Sequence, residues 1–135
     1  GNAGADTLDG GAGADWLWGE DGDDVLTGGV GEASDVMHGQ AGADAFDVWA
    51  AQGDDTVYGG VGGWTDSIRV HEGGGDATVA GASIAVAGWT LTLDAGHSVV
   101  SAGDGEATLS GEAAGVITFD KGGSVAFQGI EQLNW

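Results

Sequence analysis

The chain has 135 residues, with 22 acidic side chains against one lysine and one arginine, a formal charge of −20, 30 glycines, and neither proline nor cysteine. Such a charge repels nucleic-acid phosphates and anionic headgroups, no apolar run reaches the roughly 20 residues of a membrane span, and the lack of cysteine excludes disulfides, thiolate metal sites and cysteine nucleophiles. One domain is the expected size, and carboxylates in this excess call for a cationic partner, for which divalent ions are the usual candidates.

From the first residue, glycine returns at a fixed interval. Residues 1 to 9 (GNAGADTLD), 10 to 18 (GGAGADWLW) and 19 to 27 (GEDGDDVLT) are nonapeptides, 28 to 38 (GGVGEASDVMH) carries two extra residues, and 39 to 47 (GQAGADAFD) returns to nine. After Val48 and Trp49 come 50 to 58 (AAQGDDTVY) and 59 to 69 (GGVGGWTDSIR), the last again longer by two in the same place. In each of the seven units an aspartate precedes a large apolar residue by two positions: Asp6/Leu8, Asp15/Leu17, Asp24/Leu26, Asp35/Met37, Asp44/Phe46, Asp55/Val57 and Asp66/Ile68. A lone aspartate of this kind would be an ordinary turn residue. Seven at one spacing describe an architecture.

Glycines at the first, second and fourth places of a unit permit positive φ, so the chain can turn tightly and aim carbonyl oxygens inward. The triplet after the aspartate can form one short strand, its apolar centre pointing one way and its neighbours the other. Two units then make a coil, and stacked coils form an all-β parallel β-roll, a β-solenoid, over residues 1 to 70. Without a cation the facing carboxylates would leave these short strands disordered, so that binding energy serves as folding energy.

This repeat resembles that of the RTX family of secreted bacterial proteins, whose unit is G-G-x-G-x-D-x-U-x. The resemblance implies calcium held between turns stacked on one edge: the carbonyls of the second and fourth places and the aspartate of one turn, with those of the first and third places and the aspartate of the next. Carried over, one site uses Asn2, Gly4 and Asp6 with Gly19, Asp21 and Asp24, and the following one Glu20, Gly22 and Asp24 with Gly39, Ala41 and Asp44. On the other edge Gly11, Gly13 and Asp15 meet Gly28, Val30 and Asp35, and Asp35 pairs with Asp55. The pattern departs from the family where Glu32, Ala33 and Ser34 precede Asp35 and where Gly63, Trp64 and Thr65 precede Asp66, which sets sites through those two aspartates apart. About three to five ions are expected.

The strand register also sorts the outward residues. Trp18, His38 and Tyr58 fall in one column, Trp16, Val36 and Thr56 beside it, while the opposite sheet carries Thr7, Asp9, Val25, Thr27, Ala45, Asp47, Ser67 and Arg69. An aromatic strip on an otherwise polar roll marks an interface, with cover by the second half of the chain, self-association or an extracellular glycan as its candidate occupants.

Beyond residue 70 the period is lost. Short alternating runs follow at 77 to 86, 89 to 93, 97 to 101, 116 to 119 and 124 to 127; in WTLTL, Trp89, Leu91 and Leu93 share one face and Thr90 and Thr92 the other. Residues 71 to 135 are therefore read as a β-rich continuation or cap, and the ending VAFQGIEQLNW resembles the closing segment that follows RTX repeats. His38, His71 and His97 have no zinc spacing, no G-x-S-x-G is present, and the paired aspartates are turn residues. The chain is not expected to be an enzyme. The family resemblance and the lack of an N-terminal export signal imply type I secretion and an extracellular calcium-binding module.

Overall fold

The computed structural model describes residues 1–135, the side chain of Asp76 excepted. Each aspartate motif leads into a strand: β1 (Thr7–Asp9), β2 (Trp16–Asp21), β3 (Val25–Thr27), β4 (Val36–Ala41), β5 (Ala45–Val48), β6 (Asp54–Gly60) and β7 (Ser67–Val70). The odd strands pair in parallel in the order β1-β3-β5-β7 and the even ones in the order β2-β4-β6. The result is the parallel β-roll expected from the period. Its register aligns the apolar centres, Leu8 beside Leu26, Phe46 and Ile68 in one sheet, and Leu17 beside Met37 and Val57 in the other. Leu8 and Leu17, with a coil on one side only, stay half-buried, whereas Leu26, Met37, Phe46, Val57 and Ile68 are sealed completely.

The second half is an antiparallel array of β8 (Gly74–Ala80), β9 (Ser83–Ala87), β10 (Trp89–Leu93), β11 (Val99–Gly103), β12 (Glu106–Phe119) and β13 (Ser124–Asn134). The run expected at 77 to 86 is split into β8 and β9 by a turn at Gly81, whose φ of 63° suits the reversal. The run expected at 116 to 119 is only the end of the 14-residue β12. Its earlier part, EATLSGEAAG, is rich in small residues, with Leu109 its one large apolar side chain, and gives little alternation to read. Trp89, Leu91, Ile84, Ile117 and Ala113 are fully buried in the core of this array.

β13 joins the halves. Its first part runs parallel to β6, with Ala126, Phe127 and Gln128 beside Thr56, Val57 and Tyr58, and its last part runs parallel to β7, with Leu133 beside Ile68. One strand thus lies over both sheets of the roll, covering the apolar surface and unpaired edges that the last coil would otherwise expose. Phe127 and Leu133 extend the two apolar columns and are buried.

Because Phe127 packs where roll and antiparallel array meet, Phe127→Ala is expected to lower unfolding stability by about 3–5 kcal/mol in saturating calcium, as for other buried Phe truncations. Val116→Ala, on the exposed side of β12, should change it by less than about 0.5 kcal/mol. Urea midpoints of the two variants check both values.

Candidate calcium-binding turns

The turns entering β1, β3, β5 and β7 stack on one edge of the roll and those entering β2, β4 and β6 on the other, which brings the repeat aspartates into two columns. Their carboxylates link successive coils. Asp6 N donates to Asp24 Oδ1 at 2.7 Å, Asp24 N to Asp44 Oδ1 at 2.9 Å and Asp44 N to Asp66 Oδ1 at 2.9 Å. On the second edge Asp15 N donates to Asp35 Oδ1 and Asp35 N to Asp55 Oδ1, both at 2.9 Å. Asp24, Asp35, Asp44, Asp55 and Asp66 are all buried.

One oxygen of each of these carboxylates is thereby held by protein. The second oxygens of Asp24 and Asp44, and Asp15 Oδ2 with them, are buried without a hydrogen-bond donor. A buried, unpartnered carboxylate oxygen is strongly unfavourable unless a cation faces it. These oxygens lie against the first place of their own turn, where a Cβ on Gly10 would come 2.9 Å from Asp15 Oδ2 and one on Gly59 2.6 Å from Asp66 Oδ2. Glycine stands there because a side chain would occupy the space between carboxylate and turn.

No three Asp, Glu or His side chains among the described residues cluster to hold a metal by themselves. Each pair of stacked turns contributes two carboxylates, which leaves the rest of a six- to eight-oxygen shell to main-chain carbonyls or water, a hard donor set suited to calcium. The residues of the first expected site, Asn2, Gly4, Asp6, Gly19, Asp21 and Asp24, lie on adjacent turns, with Gly4 N donating to Asp21 O at 2.7 Å. The second set is arranged alike, Gly22 N donating to Ala41 O at 2.7 Å, and the third has Val30 N on Gly11 O at 2.7 Å. At the second place, Glu20 and Gln40 adopt φ of 78° and 81°, where Gly11 and Gly29 have 90° and 114°. A side chain held there is unfavourable by about 1–2 kcal/mol, which the two residues bear to keep the turn.

The extra residues before Asp35 and Asp66 do not interrupt the stacking, since both aspartates remain in their columns. A different departure matters more. Turn 50 to 55 reads AAQGDD, without the first two glycines, and the Gln52 side-chain amide donates to the Gly29 carbonyl while its Oε1 accepts from Trp49 N at 3.0 Å. A neutral amide thus occupies a second-place carbonyl that the repeat pattern gives to an ion. The loss of the glycine pair was the signal available in the sequence.

Burial is the main reason that the Asp44, Asp55 and Asp66 carboxyls are pushed up to about 6, with repulsion from neighbouring carboxylates adding to it and the ladder hydrogen bonds opposing it. The repulsion comes from Asp24 and Asp23 on Asp44, from Asp35 and Asp54 on Asp55, and from Asp44 and Glu131 on Asp66.

The outer columns form as the register implies. Trp18 and His38 stack with centroids 5.8 Å apart and planes 3° from parallel, and His38 and Tyr58 with 4.6 Å and 10°. Trp16 leans on Trp18 at 39°. Burial lowers the pKa of His38 below its ordinary value, favouring the neutral ring in this stack. Trp16 and Trp18 remain 63% and 43% exposed. Farther along, a cleft of about 700 Å³ between roll and antiparallel array is lined by His38, Tyr58, Trp64, His97, Glu112 and Gln128. The opposite sheet carries a cluster that sequence reading left apart: Asp47 Oδ2 accepts from Arg69 Nη2 at 3.0 Å, Asp47 Oδ1 lies 2.7 Å from His71 Nε2, and Trp49 stacks on His71.

A parallel roll with a buried carboxylate and an open oxygen in successive turns defines a cation-binding repeat module. Residues 1–33 and 32–63 match the family model of the RTX calcium-binding nonapeptide repeat, in four copies, and this segment of the chain is an RTX repeat. The family is a structural, calcium-binding one, typical of secreted bacterial proteins. Among curated proteins none matches the chain.

Since the calcium-free folded carboxyls titrate near 6 rather than at the ordinary 3.8, protonation stabilises the metal-free roll at low pH, and this contribution is lost as pH rises through about 6. In chelator, circular dichroism is expected to report more β structure at pH 5 than at pH 7.5. Calcium affinity should fall as pH drops through the same range, with proton release on binding at pH 6 and little at pH 8, measurable by calorimetry in buffers of different ionisation enthalpy.

Proposed function

We propose that residues 1–70 are a calcium-driven folding module of a secreted bacterial protein, exported by type I secretion, and that residues 71–135 are its cap. The chain itself performs no catalysis in this reading, and its partner is calcium. The observation that carries the reading is the pair of carboxylate columns, whose second oxygens are buried without donors at Asp15, Asp24 and Asp44. The main sites are those joining Asp6 to Asp24, Asp24 to Asp44 and Asp15 to Asp35, each completed by first- to fourth-place carbonyls. The turns at Asp55 and Asp66 are weaker candidates, the former because Gln52 already donates to Gly29. A chain that meets little calcium in the cytosol and much outside would then fold after export, its carboxylates being neutralised only there.

Calcium titration followed by circular dichroism tests this. The expected result is a cooperative gain of β structure reversed by chelator, with Asp24→Asn raising the midpoint more than Asp55→Asn because Asp24 belongs to two proposed sites. A chain whose spectrum ignores both calcium and chelator overturns the reading.

A second reading is that the aromatic face binds a copy of the chain or an extracellular glycan, favoured by the exposure of Trp16 and Trp18. Acrylamide should quench these two indoles in a calcium-loaded monomer while sparing the fully buried Trp89. Concentration-dependent protection supports self-association, protection by added oligosaccharide supports a glycan, and quenching unchanged by either removes the reading.

A further inference from the structure

The strand that closes the roll carries a shortened copy of the repeat. Gly129 lies against Gly59, whose missing Cβ would meet the Gly129 carbonyl, and the flanking triplets of β13 continue both sheets in register. Glu131 therefore stands where each turn of this edge has its aspartate. Only Ile130 separates it from Gly129, where four residues separate Gly19 from Asp24. This turn is too short to present the carbonyls of a full repeat.

Glu131 nevertheless makes the ladder contact. Asp66 N donates to its Oε2 at 2.9 Å, the same distance as from Asp44 N to Asp66 Oδ1. The additional methylene of glutamate suits the shortened turn. Its other oxygen, Oε1, accepts from Glu112 N at 2.7 Å. Glu112 has a φ of 52° and sits in the stretch of β12 between Thr108 and Ala113 where pairing with β13 shifts register. At Asp24 and Asp44 the second carboxylate oxygen has no donor. At Glu131 both oxygens are held by main-chain N–H groups, so this rung is satisfied without a cation.

We propose that Glu131 is a positioning residue for the last calcium turn, coupling the carboxylate column of the roll to the β12–β13 hairpin. It fixes the main chain at Asp66, and Asp66 in turn fixes Asp44, so calcium uptake along this edge stabilises the docked hairpin. Linkage makes the effect reciprocal: the docked hairpin raises calcium affinity. The inference rests on the calcium reading above.

The test is calcium titration of the full chain and its Glu131→Ala and Glu131→Gln variants, with amide hydrogen exchange at saturating calcium. Glu131→Ala is expected to raise the calcium midpoint about tenfold, within the range typical of coupled sites. Glu131→Gln, which keeps the length and one acceptor, should raise it less, and it carries the test where the alanine variant does not fold. In the alanine variant the amides of Asp66 and Glu112 should both lose protection, and in the glutamine variant at least the one left facing the new side-chain NH2, while those of Asp15 and Asp35 on the opposite edge keep theirs. A wild-type midpoint with unchanged exchange at Asp66 and Glu112, or protection lost equally on both edges, overturns the proposal. A wild-type chain indifferent to calcium overturns the parent reading instead, whatever the variants do.

Discussion

The roll depends on a carboxylate placed between two turns. Asp24, Asp35, Asp44, Asp55 and Asp66 each use one oxygen to hold the main chain of a neighbouring coil, and in Asp24, Asp35, Asp44 and Asp66 the other faces its own turn. The hydrogen bond alone would stack the coils, yet it does so by burying like charges in columns. A strand of three to seven residues with one or two inward apolar side chains offers little hydrophobic stabilisation against that repulsion. In the proposed reading the attraction between turns comes from a cation, and the same carboxylates that oppose folding without it become the links that permit folding with it.

Within the repeat, the sequence was close to a complete description. The distance from aspartate to apolar residue fixed which side chains face inward, and the columns through Leu26, Phe46 and Ile68 and through Met37 and Val57 follow from it. The outer columns follow too, since period two allows the flanking residues only one other face. Gln52 was less legible. Its amide acts at a carbonyl 23 residues earlier, and only the missing glycine pair hinted that this turn was different.

The second half was legible as β structure but not as topology. Alternation in WTLTL marked β10 correctly, whereas the first part of β12 is rich in alanine, glycine and serine and is held by two partners, β11 and β13, before β10 joins its second part. Nothing local marks β13 as a strand that crosses from one sheet of the roll to the other. Its resemblance to a repeat is concealed by a turn reduced to Gly129, Ile130 and Glu131, and it becomes visible only once Phe127 and Leu133 are seen beside Val57 and Ile68.

The aromatic column shows how the roll geometry restricts its own surface. Parallel strands about 4.8 Å apart place equivalent rings near stacking distance, so His38 has Trp18 on one side and Tyr58 on the other. Rings arranged this way direct their faces at one another and present edges to solvent. Trp16, tilted 39° from Trp18 and 63% exposed, escapes this arrangement because its column continues with Val36 and Thr56 rather than with rings. The pair in WLW is thus divided in role. Trp18 begins a stacked ladder, and Trp16 is the more exposed indole of the two.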